Sequence, residues 1–197
     1  MRNIRNIIVL AFVALTLKQA GAGSLALTQP VDQKVVAQVL NRAGQDQIRE
    51  ATAFQKHSFR LSQNGAFVGT LVSGRGYAQT SEKREDGSPI ERLICFLALA
   101  RTGGAIDLVR TIGNGEWEVE ACTSVEAVGI VTDAAGSAAQ KIAIVYDAHV
   151  FPRSQLPEVV IFSWDGGAQR IEIDEATSRQ ASGATTIRDI RRLLSAH

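Results

Sequence analysis

The stretch Val159-Val-Ile-Phe-Ser-Trp164-Asp165-Gly166-Gly167-Ala-Gln169-Arg-Ile-Glu-Ile-Asp174 decides the fold. Two runs of alternating apolar residues flank an Asp-Gly turn signal, and side chains recurring every second position on either side of such a turn predict an antiparallel hairpin. The same period extends toward the N-terminus. Ile142–Tyr146 and Val125–Val131 read as strands, separated by the small residues of 133–137. Leu93–Ala100 is nearly continuous in apolar residues, as expected of a central strand covered on both faces. Turns at Arg101-Thr-Gly-Gly104 and Gly113-Asn114-Gly115 then link it to Ile106–Ile112 and Glu116–Cys122, which predicts a three-strand meander. Further upstream, Phe59, Leu61, Phe67, Leu71 and Tyr77 keep the strand period among glycines at 65, 69, 74 and 76. Ser81–Pro89 is charged and holds Asp86-Gly87, a turn signal, so it reads as a solvated loop.

At both ends the period changes. Val35, Val36, Val39, Leu40 and Ala43 recur at helical spacing after Pro30, and Ile48, Ala51 and Phe54 extend the pattern, giving an N-terminal helical segment of about 25 residues. Near the C-terminus, Thr186 followed by Asp189 resembles a capping box, and Ile187, Ile190, Leu193 and Leu194 form one stripe of a helix. The predicted class is α+β. It comprises the N-terminal helical segment, six to eight mostly antiparallel strands in one curved sheet or small sandwich, and a C-terminal helix packed on the sheet.

The first 22 residues read as a signal peptide. Arg2 and Arg5 precede the apolar run Ile7–Leu17, and Ala20-Gly21-Ala22 offers small residues to a peptidase, with Lys18 between them leaving the cut site open. The run is about half the roughly 20 residues needed to span a bilayer, so no stable membrane insertion is expected after cleavage. Residues 23–197 then form a single domain in a periplasmic or secreted location. The whole chain carries 21 Lys and Arg against 20 Asp and Glu; without Arg2, Arg5 and Lys18 the balance is 18 to 20. A mature chain this close to neutral lacks the concentrated basic face that nucleic-acid binding requires.

Cys95 and Cys122 are the only cysteines, and an even pair in an oxidising compartment predicts a disulfide. If the meander paired in sequence order, a whole strand of about 10 Å would separate the two thiols, beyond a bridge's reach. The conflict places the first strand on another sheet or puts one cysteine in a bend. Two thiols fall short of the four ligands of a structural zinc site, and neither cysteine has a His or carboxylate at helical spacing, so no metal is expected. Gly74-Arg75-Gly76 lacks both the dinucleotide fingerprint and the P-loop lysine, and no cofactor is expected.

Two groups of side chains are candidates for function. Glu116, Glu118 and Glu120 fall on one face of the predicted strand 116–122, a row suited to a cation, to an Arg-rich partner or to the acid pair of a glycosidase, and Trp164 beside the Asp165 turn could add an exposed aromatic contact. His149, at a strand end with Asp147 before it and Ser154 after it, is the best position for a base, acid and hydroxyl. No G-x-S-x-G elbow accompanies them. The favoured function is an exported, non-enzymatic binding protein of inhibitor, immunity or envelope-accessory type with a protein partner. The alternative is a periplasmic hydrolase built on His149, Asp147 and Ser154.

Overall fold

The computed structural model describes residues 24–118, 120–132, 140–150 and 153–196, with only the backbone of Arg153 and Ser154 included. The expected leader 1–22 and the loop 133–137 lie outside the described residues. In chain order the elements are β1 (Leu25–Thr28), α1 (Gln33–Gln45), β2 (Arg49–Ala53), β3 (Phe59–Gln63), β4 (Ala66–Lys83), β5 (Pro89–Arg101), β6 (Ile106–Arg110), β7 (Ala121–Thr132), β8 (Gln140–Val150), β9 (Arg153–Asp165), β10 (Arg170–Ile173), α2 (Glu175–Gln180) and α3 (Ile187–Ser195). Short 3-10 turns cover Gln55–His57 and Gly115–Trp117.

The α+β expectation is corrected: the fold is mostly β, with 55 % of the described residues in strands and 21 % in helices, built on two antiparallel sheets. One sheet runs β1-β3-β4-β5-β6 with β2 paired to β4, and the other runs β10-β9-β8-β7. The second half of the expected N-terminal helical segment is strand β2. Its place on β4 depends on two glycines. A Cβ at Gly74 would lie 2.2 Å from the Phe96 ring and 2.7 Å from the Thr52 carbonyl oxygen; one at Gly76 would lie 2.6 Å from Ile48. The bare backbone at these positions lets β2 and its neighbours close on the sheet, a requirement written in β4 rather than in β2 itself.

Three apolar layers explain the order of packing. Between the sheets, Leu71, Cys95, Leu97 and Leu99 meet Ile142, Ile144, Tyr146, Val160 and Phe162. On the outer face of the first sheet, Val36, Val39 and Ala43 of α1 cover Val72, Ile94, Phe96 and Ala98. On the outer face of the second, Ile190 and Leu194 of α3 cover Val131, Ala143, Val145 and Ile161. Strand β5 is therefore buried on both faces, odd positions toward the partner sheet and even positions beneath α1, which accounts for its continuous apolar run.

The meander is also corrected. β5 pairs with β6 in the first sheet, while β7 begins the second. The Cys95–Cys122 disulfide therefore joins the two sheets, with its Cα atoms 5.3 Å apart and both residues buried. The hairpin 159–174 pairs Ile171 with Trp164 and Ile173 with Phe162. Its turn is held by the Asp165 carboxylate, which accepts from the amides of Gly167 at 2.9 Å and Ala168 at 3.0 Å.

Both C-terminal helices are small and locally capped. Thr186 Oγ1 accepts from the Asp189 amide at 3.1 Å at the start of α3. Arg191 of α3 reaches the flank of β7, donating from Nε and Nη2 to the Ile130 carbonyl at 3.1 and 2.8 Å. Asp174 caps α2 by accepting from the Thr177 amide at 3.0 Å, and it also receives Lys141 Nζ at 2.5 Å. Burial acts to raise the Asp174 pKa, but the Lys141 and Thr177 hydrogen bonds overcome it and hold the group at about 2. A carboxyl depressed in the fold contributes stability above its unfolded pKa and loses it as pH falls. Acidification from pH 5 to pH 2 is therefore expected to remove about 2 kcal/mol through this group. NMR titration of its carboxyl carbon checks the origin: a midpoint near 4 would remove Asp174 from the acid response. No helix among the described residues is long and apolar enough to cross a membrane.

Candidate functional site

The expected strand 116–122 starts only at Ala121. Gly113 and Gly115 take positive φ, and the chain between them and Cys122 makes a 3-10 turn at Gly115–Trp117 as it crosses from one sheet to the other. The three glutamates are thus released from a common face. Glu118 turns toward the turn end of the β4–β5 hairpin, where both its carboxylate oxygens accept from Ser81 Oγ at 2.6 Å. That hydroxyl, followed by the backbone amides of Ser81 and Glu82, holds Glu118 below the ordinary carboxylate range. Its role is to brace the hairpin.

Glu116 and Glu120 instead share a recess with Trp117, Glu158, Val159, Ser178, Arg179 and Ser182. β9 supplies Glu158 and Val159, α2 supplies Ser178 and Arg179, and the 3-10 turn supplies Glu116 and Trp117. Glu116 stands at the rim in an ion pair with Arg179, whose Nη1 is also 3.9 Å from Glu175. Glu120 lies deeper. It is only 9 % exposed, and its Oε2 has no hydrogen-bond partner. Burial, and after it the charge of Glu158, push Glu120 up to about 7. Burial also raises Glu158, partly offset by the Trp117 indole acting as donor. The Ser178 hydroxyl is already committed, donating to the Asp174 carbonyl at 2.7 Å and accepting from the Ile161 amide at 2.9 Å.

The recess has a volume of about 160 Å³, smaller than the roughly 300–1,000 Å³ of pockets that enclose small-molecule ligands. It suits the end of one side chain better than a sugar or a nucleotide. Among the described residues, no group of three or more His, Cys, Asp or Glu has a geometry able to hold a metal ion.

The other candidates lie outside this recess. Trp164 is half-buried and packs against the layer between the sheets, so it is chiefly a core side chain. His149 is exposed. Asp147 accepts from Gln155 Nε2 at 3.0 Å, with its pKa raised by burial and then by the charge of Glu126. The Ser154 side chain lies outside the described residues. Sequence reading missed Glu158, although a carboxylate after Pro157 and before the run Val159–Phe162 marks an acidic group carried on a buried strand. Comparison with family models, curated proteins and solved structures finds no match.

Proposed function

We propose that this chain is an exported, non-enzymatic binding protein of inhibitor, immunity or envelope-accessory type, and that it engages a protein partner through the acidic recess at Glu116, Glu120 and Glu158. The observation that carries the reading is Glu120: a buried carboxyl in the wall of a small recess, with one oxygen that has no hydrogen-bond partner, is costly to maintain, and a partner's cation in the recess would offset that cost. Export is supported by the basic and apolar order of residues 2–22 and by the disulfide, which suits an oxidising compartment.

Affinity capture from the native envelope tests the reading. The wild-type chain is expected to retain a partner that elutes with moderate salt, and the Glu120→Gln/Glu158→Gln double variant is expected to lose it. Equal retention of the same partner by both would remove the recess from the binding surface.

A further inference from the structure

We infer that the recess takes one lysine-type alkylammonium group from the partner, admitted in exchange for a proton. The inference rests on the binding reading above and specifies its chemistry. Two carboxyls from separate elements, Glu120 before β7 and Glu158 on β9, line the same small opening. Glu120 is nine-tenths buried with Oε2 unpartnered. Carboxyls carried on two separate residues suit a compact ammonium with three rotatable donors. A guanidinium fork favours both oxygens of a single carboxylate.

The volume of about 160 Å³ equals that of about five liquid waters, enough for an ammonium and the last methylenes of its stem. Trp117 supplies an apolar wall for that stem.

The charged groups around Glu120 are Glu158 from β9, Glu116 from the 3-10 turn and Arg179 from α2. Arg179 is the only cation among the described residues that line the recess, and its guanidinium is held at the rim by Glu116 and Glu175. Burial raises both carboxyls of the inner pair, so Glu120 holds its proton more readily than a carboxyl in water until a second cation arrives. On capture, the Glu120 carboxylic acid releases its proton to solvent and the resulting carboxylate pairs with the incoming ammonium. Burial already holds Glu120 at about 7, so this exchange occurs near neutrality without a large pH excursion.

The test is calorimetric titration of the folded, disulfide-bonded chain with Nα-acetyl-lysine methylamide. Affinity is expected to be about tenfold tighter at pH 8 than at pH 6, with close to one proton released per amine at pH 6, measured in buffers of different ionisation enthalpy. Glu120→Gln is expected to abolish both effects, and the wild-type proton count stands by itself should that variant fold poorly. Equal affinity at the two pH values, or preferential binding of the arginine analogue or of calcium, would overturn the inference. So would absence of lysine binding while partner capture still depends on Glu120 and Glu158, and that outcome leaves the broader binding reading intact. Capture independent of both residues would defeat the two together.

Discussion

Replacing Cys95 and Cys122 with alanine is expected to cost about 3.5 kcal/mol and to lower the melting temperature by about 10 °C. The bridge closes a loop with a sequence separation of 27, and the chain-entropy relation gives this magnitude for a loop of that length. Its position adds a second reason. β5 and β7 belong to different sheets, so the crosslink opposes separation of the two layers rather than reinforcing a ladder already held by backbone hydrogen bonds. Both residues lie in the layer between the sheets, where alanine also leaves unfilled space. Urea unfolding of parent and double variant checks the value. A loss below about 1 kcal/mol would mean that apolar packing alone holds the sheets together and that the crosslink is nearly redundant.

At pH 8, Glu120→Gln is expected to stabilise the fold by up to about 3 kcal/mol, whereas at pH 4 the variant and parent should be nearly equal. The sign follows from a carboxyl whose pKa rises from 4.5 to about 7 on folding. Between those values the folded state binds more protons than the unfolded state, so stability falls as pH rises. The contribution is fully present below the unfolded pKa and is lost as pH climbs through the folded one. Glutamine keeps the shape and cannot ionise. Denaturant unfolding at pH 4, 6 and 8 should show the gap opening with pH. A constant gap would show that Glu120 ionises as it would in water, which would also withdraw support for the recess as a binding site. In the proposed binding role, partner capture and stability would be opposed at one residue, since the carboxylate that would pair with a cation is the form the fold disfavours.

Strands that carry their own pattern were legible before the structure. The hairpin at 159–174 joins alternating residues to an Asp-Gly turn, and the apolar run 93–100 signals a strand covered twice. β2 was not legible, because Ile48, Ala51 and Phe54 also satisfy a helical spacing and the decisive feature is the missing Cβ at Gly74 and Gly76 on another strand. Glu116 to Ala121 misled for the opposite reason: charged and apolar residues alternate there, yet the chain is changing sheets and curls through a 3-10 turn. The cysteine pair carried the needed correction, since a bridge between Cys95 and Cys122 is incompatible with sequential pairing of three strands. The candidate site was half visible. Glu116 and Glu120 were singled out for a shared strand face and meet for another cause, and Glu158 joins them from a strand 38 positions along the chain, a proximity that no local pattern encodes.

Arg191 has an effect beyond fixing α3. An outer strand with unsatisfied carbonyls invites a second molecule to extend the sheet, the first step toward fibrillar assembly. By occupying the Ile130 oxygen with two donors and laying a charged side chain across that border, the final helix guards β7 against intermolecular strand addition.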